Sequence, residues 1–262
     1  MLSEVTRYFM FLSFEGTNYH GWQIQPNAFT VQQTLENALS LILGEKITSI
    51  GAGRTDTGVH ASMFCVHFDS LKNNIDSDKK FIFRLNRFLP PDIAVKYIRK
   101  VIPEANARFS AISRTYKYYI RKTKDPFKQL WSWHINYPLD ISLMNTACGI
   151  LKEYSDFTSF SKLHSDTKTN ICKISSAEWI ENDNEIVFSI TSNRFLRNMV
   201  RAITGTMVDL GAGKINIEDF KRIIEDKDRC KAGKSAPAKG LFLTDINYPD
   251  DIFIQSSEKK IF

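Results

Sequence analysis

The residue types best suited to chemistry lie in one stretch, Gly51-Ala52-Gly53-Arg54-Thr55-Asp56-Thr57-Gly58-Val59-His60. Three glycines surround one cation, two hydroxyls and one carboxylate. Glycine permits positive φ and close backbone approach, so the stretch is shaped for something other than burying apolar surface. Asp56 is the sole carboxylate between Glu45 and Asp69. Apolar, strand-like residues flank the stretch, Ile47 to Ile50 before it and Met63 to Phe68 after it. It therefore reads as a polar loop between two strands, where a rigid scaffold presents catalytic groups. A phosphate-binding P-loop would end in Gly-Lys-Ser/Thr, which is missing here. A dinucleotide fingerprint needs a third glycine opening a helix, whereas Gly58 leads into another strand-like run. The competing account is a plain tight turn formed by Asp56 and Gly58.

A second feature is charge. The chain of 262 residues has 35 Lys plus Arg against 29 Asp plus Glu, a formal net charge of +6. That modest excess suits a polyanionic partner. It is concentrated from Lys96 to Lys128, where ten Lys or Arg meet only Glu104 and Asp125. Tyr97, Phe109, Tyr116, Tyr118 and Tyr119 are interleaved with the cations. Aromatics among cations suit unpaired bases of a nucleic acid; a solvated basic face is the alternative.

GAGRTDTGVHA closely resembles the signature loop of the tRNA pseudouridine synthases of the TruA family. Other stretches resemble that family in the same order. These are Phe14-Glu15-Gly16-Thr17-Asn18-Tyr19-His20-Gly21-Trp22-Gln23, Val31-Gln32-Gln33-Thr34-Leu35-Glu36, and Ala107-Arg108-Phe109-Ser110-Ala111 leading to Tyr116. Asp156-Phe157-Thr158-Ser159-Phe160, Phe195-Leu196-Arg197-Asn198-Met199-Val200-Arg201 and Gly240-Leu241 follow. The matches span roughly residues 8 to 248. Thr57 is the one departure in the signature, where the family usually has alanine.

The resemblance implies an isomerase that converts uridine to pseudouridine at positions 38, 39 and 40 of the tRNA anticodon stem-loop. It implies Asp56 as the catalytic nucleophile, Tyr116 against the target base and Arg201 as the cation partnering Asp56. Pseudouridine formation breaks the N1–C1′ bond, turns the base and rejoins it through C5. No electrons leave and no energy carrier is spent, so no cofactor, metal or nucleotide is expected. Asp56 could attack C1′, as a retaining glycosidase does. It could instead add to C6 or assist elimination at C2′, and the sequence does not choose among these. Arg54 suits an RNA phosphate or the gap left by a flipped base. Val200 and Leu241 suit apolar pocket walls, with core packing an equally good account. Arg194, Arg197, Arg114 and Lys117 are the candidate RNA-backbone contacts. A homodimer sharing one RNA is also implied. A catalytically inactive RNA-binding or tRNA-folding module of the same fold is the alternative function, and a nucleotide-dependent enzyme a third.

Elements must hold these residues in place. Tyr8 to Phe14 reads as a buried strand, too short for a signal segment or a membrane span. Thr30 caps a helix with Gln33 completing a capping box. Val31, Leu35, Ala38, Leu39 and Ile42 are its stripe, and Gly44 its end. Ser77 caps a second helix, stopped by Pro90-Pro91. Ile93 to Val101 is a strand, and Arg114 to Arg121 another, with Tyr116, Tyr118 and Ile120 on one face. A helix carrying Leu143, Ala147 and Leu151 follows, then a flexible loop over 155–170. Ile171 to Ile180 and Glu185 to Thr191 form a hairpin. A helix from Phe195 to Leu210 would bring Arg194, Arg197 and Arg201 onto one face. A short helix and a strand from Leu241 to Tyr248 close the chain. Phe157 and Phe160 read as core.

The elements give an α+β class. The resemblance implies the pseudouridine synthase fold, with two ferredoxin-like α/β subdomains fused into one mainly antiparallel sheet carrying a central RNA-binding cleft. The expected division is 1–102, 103–248 and a loosely held tail, 249–262. Cys65, Cys148, Cys172 and Cys230 show no paired spacing and read as reduced thiols of a cytoplasmic protein. The five histidines show no metal-ligand spacing.

Overall fold

A computed structural model describes residues 5–162 and 168–254. The chain is α+β, with nine strands and five α-helices among those residues. Strand pairing within each unit is antiparallel except at the short sixth strand, which pairs in parallel. Packing divides the chain into two units. The first holds residues 5–57, 61–112 and 245–254; the second holds 58–60 and 113–244.

In the first unit, β1 (Thr6–Phe14) lies between β3 (His60–Ser70, from Ala61 onward) and β4 (Ile93–Lys100). A strand covered on both faces should be apolar throughout, and Tyr8, Phe9, Met10 and Leu12 are all fully buried. Each such side chain contributes about 1.5–3 kcal/mol of burial. Helix α1 (Val31–Leu43) begins at Thr30, whose hydroxyl accepts from the Gln33 amide, and ends at Gly44 with φ 71°. Leu43 rather than Ile42 completes its buried stripe. The short β2 (Ser49–Gly51) pairs with β3.

Helix α2 (Lys79–Phe88) is capped by Asp78, not Ser77. One oxygen of the Asp78 carboxylate accepts from both the Lys80 and Phe81 amides, its charge suits a helix N-terminus better than a neutral hydroxyl, and this start turns Phe81 and Leu85 inward. Residues 103–112 pack with the first unit. Arg7 donates to the Ala105 carbonyl, Tyr248 to that of Ala107, and the Ile112 amide to that of Asn247. The packing division thus falls at 112/113, and the expected subdomain boundary at 102/103 remains a sequence-based expectation. The segment after Pro249 is docked as far as Ile254. Ile102 donates to Ile252, Ile254 donates to Lys100, and the Arg99 guanidinium lies 3.7 Å from the Phe253 ring centroid. The expected tail beyond residue 254 lies outside the described residues.

In the second unit, β5 (Ser113–Arg121) pairs in parallel with β6 (Trp133–His134) and antiparallel with β8 (Glu185–Ser192). Helix α3 is Ile141–Leu151, and β7 (Ile174–Glu181) forms the expected hairpin with β8. Helices α4 (Met199–Gly211) and α5 (Ile217–Glu225) precede β9 (Leu241–Asn247), whose first four residues belong to this unit and neighbour β5. Helix α4 is buried on almost every side. Tyr118, Ile120, Phe188 and Ile190 meet Ala147, Leu151, Ile203 and Met207 in one core.

Two expectations fail here. Residues 155–162 are not a loose loop. Asp156 bridges Ile171, Phe157 and Phe160 are fully buried, and the Ser159 hydroxyl donates to Ile223 at 2.5 Å. Residues 163–167 of that stretch lie outside the described residues. Helix α4 starts at Met199 rather than Phe195, because Asn198 takes the left-handed conformation at φ 68° and interrupts the helical path.

Candidate active site

The aspartate loop leaves β2 against an apolar bed. Trp22 packs on Phe64 with ring centroids 4.5 Å apart, and the Gly51 backbone lies on both. A Cβ at Gly51 would stand 2.5 Å from Trp22 Nε1, so only glycine fits. The Ala52 amide donates to Cys65 at 2.8 Å, extending the β3 pairing by one residue. Farther along, the Thr55 carbonyl rests on Gly21, where a Cβ would come within 2.2 Å. Gly21 itself has φ +83°. The loop is thus fixed from below before and beside Asp56. Asp56 is half-buried, Arg54 exposed, and Val59 and His60 closed off from solvent. Thr55 is 9% exposed, and its hydroxyl has no hydrogen-bond partner among the described residues. Such a group costs about 1–3 kcal/mol when left unmade.

The second unit holds the other expected pocket residues. Tyr116, on the half-buried part of β5, meets Phe195 edge-on, with centroids 5.2 Å apart. It packs on the core that contains Val200 and Leu241, exposed only 4% and 5%. Those two are therefore core residues first. Arg201 lies in the first turn of α4, and its position is fixed. Its Nε donates to the Ala236 carbonyl at 2.8 Å, and the Ala236 amide donates back to the Arg201 carbonyl at 2.9 Å. Burial pushes the Tyr118 phenol pKa well up, and the Arg201 charge pulls against it.

A clamp around Arg201 was not visible in sequence. Arg229 donates to the Ala232 and Gly233 carbonyls and to the Ser235 hydroxyl, and Asn198 donates to that same hydroxyl at 2.7 Å. These bonds shape the 229–236 loop whose Ala236 holds Arg201. The signal that could have pointed there is Asn198, since asparagine tolerates the left-handed turn that precedes the helix.

The helical spacing expected to place three arginines on one face does not hold. Arg194 and Arg197 precede α4, so the spacing to Arg201 has no helical meaning. Arg194 donates to Thr169 and Arg114 donates to Asn193, both to backbone carbonyls. These two arginines bring positive charge to the turns around residues 169 and 193. Arg197 and Lys117 are exposed. Strand alternation puts Lys117 on the face opposite Tyr116.

Arg54 and Asp56 thus share one loop of the first unit. Tyr116, Val200, Arg201 and Leu241 share the second. No group of His, Cys, Asp and Glu among the described residues could hold a metal ion. All four cysteines are free thiols; burial pushes Cys148 up to about 12 and Cys172 up to about 11. No helix among the described residues is long and apolar enough to cross a membrane. A cavity of about 480 Å³ in the first unit is lined by Arg7, Glu45, Lys46, His67 and Asp69 among others, and includes none of the expected site residues.

Residues 154–249 match a family model described as tRNA pseudouridine synthase. Relatives named tRNA pseudouridine synthase A match over nearly the full length. The Bacteroides thetaiotaomicron protein is 52% identical over 258 residues, 97% of this chain and 95% of its own length. The Bacteroides fragilis protein is 53% identical over 250 residues, 95% of this chain and 99% of its own. The Caldicellulosiruptor bescii protein is 41% identical over 240 residues, 90% of this chain and 97% of its own.

Proposed function

Because this chain belongs to the tRNA pseudouridine synthase A family, we propose that it isomerises uridine in the anticodon stem-loop of tRNA, at positions 38 to 40, with Asp56 as nucleophile. It is an isomerase acting on tRNA uridine. The observation that carries the assignment of Asp56 is the rigidity of its loop. The backbone leading up to Asp56, and at its own carbonyl, packs closely on Trp22 and Gly21, which a mere connecting turn would not need.

The bookkeeping of atoms is simple. The N1–C1′ bond breaks, the C5–C1′ bond forms, C5 gives up its proton and N1 gains one. Each route starts from the Asp56 carboxylate, which becomes an ester on attacking C1′ or adding to C6, or takes up the proton on assisting loss of that at C2′. Arg201 is the cation that partners the Asp56 carboxylate. Tyr116 lies against the base, and its hydroxyl serves the proton leaving C5. Val200 and Leu241 wall the pocket. Arg54 contacts an RNA phosphate or fills the gap left by the flipped base, and Arg114, Lys117, Arg194 and Arg197 hold RNA phosphates. The active form is a cytoplasmic homodimer across which one tRNA lies.

The test replaces Asp56 with asparagine, nearly isosteric but uncharged. Pseudouridine formation in purified tRNA is expected to fall by about 10⁴-fold or more, with tRNA affinity within about threefold. Substantial product from the mutant overturns the role of Asp56. A wild-type protein that binds tRNA without forming pseudouridine at 38 to 40 would instead be the inactive binding module.

A further inference from the structure

His60 ends the aspartate loop and is fully buried. Its Nε2 lies 3.2 Å from the Leu130 carbonyl oxygen and 3.2 Å from that of Lys239. Carbonyl oxygens only accept, so Nε2 carries a proton and shares it between the two. The imidazole face stacks on Phe242 with centroids 4.5 Å apart and planes 25° from parallel. Phe242 is itself met edge-on by Tyr119 at 5.2 Å. The ring is held at its tip and across its face.

Three stretches meet at this ring. Residue 60 is four positions beyond Asp56. Leu130 belongs to the connection between β5, which carries Tyr116, and β6. Lys239 sits in the one-turn helix Ala238–Gly240 that delivers Leu241 into β9. That turn has little freedom of its own. Tyr118 donates to the Pro237 carbonyl at 2.8 Å, and a Cβ on Gly240 would stand 2.6 Å from the Tyr118 ring.

We propose that His60 is a positioning residue for the isomerisation, its shared Nε2–H fixing the exit of the Asp56 loop to the turn that places Leu241. The proposal rests on Asp56 being the nucleophile. An ordinary core histidine would contribute stability alone. A positioning residue must in addition affect turnover more than binding, and its effect must follow the donor atom rather than the ring.

Three variants separate these roles. His60→Phe keeps a ring against Phe242 and removes the donor. His60→Gln offers an amide N–H₂ at the reach of Nε2, and His60→Asn falls one methylene short. Single-turnover release of the C5 proton from labelled tRNA, tRNA affinity, urea unfolding and hydrogen exchange over residues 51–61 are measured for each. His60→Phe and His60→Asn should slow turnover by about 10- to 100-fold. Their tRNA affinity should stay within about threefold, and exchange in 51–61 should rise. His60→Gln should recover most of the rate.

A near-normal rate in His60→Phe overturns the proposal. So does a set of rates that follows the urea midpoints without regard to the donor. If His60→Phe fails to fold, the contrast between the glutamine and asparagine variants decides the matter. A wild-type protein that forms no pseudouridine sinks the underlying functional reading instead, and the exchange data then report on the loop anchor by itself.

Discussion

Replacing Gly21 with alanine should slow the reaction although residue 21 takes no part in it. The new Cβ would stand 2.2 Å from the Thr55 carbonyl oxygen and 3.2 Å from the Asp56 carbonyl carbon. An ordinary carbon–oxygen approach is about 3.3 Å, so one of the two backbones must move by about 1 Å. The Gly21 carbonyl accepts from Val31 at 3.2 Å, so the segment is anchored to the start of α1. The loop carrying Asp56 is therefore the part expected to yield. A misplacement of about 1 Å costs on the order of 10²-fold in rate. An L-residue at φ +83° adds about 1–2 kcal/mol of destabilisation. Single-turnover kinetics on tRNA should show the rate loss, affinity should stay within about threefold, and urea unfolding should show the stability loss. Gly53→Ala is the control for stability, because nothing lies within 4 Å of its added Cβ. A Gly21→Ala protein with a rate within about threefold of wild type refutes the idea that this contact sets the position of Asp56. Equal destabilisation by Gly53→Ala refutes the claim that the clash is specific.

Other outcomes follow from the same geometry. Tyr116→Phe should keep its place against Phe195 and its tRNA affinity while turnover falls by about 10²-fold or more; a near-normal rate leaves Tyr116 a stacking role only. Arg201→Ala should cut the chemical rate by about 10²-fold with the salt dependence of binding unchanged. A slope flattened by about 0.7 with the rate spared makes Arg201 a phosphate contact instead. His67 is held neutral, its pKa lowered to about 4 by burial and then by the Arg7 charge, and its Nδ1 accepts from the Ala107 amide at 3.0 Å. The unfolded chain binds this proton near pH 6.5 and the folded one near 4. Stability is fully present above 6.5 and is lost by about 2–3 kcal/mol as pH falls to 4. His67→Asn keeps an acceptor near the Nδ1 position and removes the titration, so its urea midpoint should fall less across that window; an unchanged pH profile refutes the assignment.

Much of the scaffold was legible because its causes are local. The apolar run from Tyr8 to Phe14 announced a buried strand, and Thr30 and Gly44 marked the ends of α1 by their own chemistry. Tyr116, Tyr118 and Ile120 fell on one face because strands alternate. The errors also have local causes. Ser77 and Asp78 are both good caps, and it is the charged one that sits at the helix N-terminus and takes the two amides. The helical spacing of residues 195–210 was real, yet spacing does not reveal that Asn198 turns left-handed and starts the helix four residues late. Ile252 and Phe253 looked like a tail because their partners, Ile102 and Val101, are some 150 positions away.

The candidate site divides along the same line. Asp56 could be singled out as a candidate because a glycine-rich loop with one carboxylate is an anomaly within a few residues of itself. The groups that hold the reacting side chains still leave no such trace. His60 reaches acceptors 70 and 179 positions away, and Arg201 is held by a carbonyl 35 positions on. A lone histidine or an arginine in a polar loop carries no spacing that announces those partners. Position, unlike chemical identity, is a property of contacts distant in sequence. Where chemistry depends on about an ångström of placement, residues such as Gly21 and His60, whose side chains need never touch the substrate, are the ones to test.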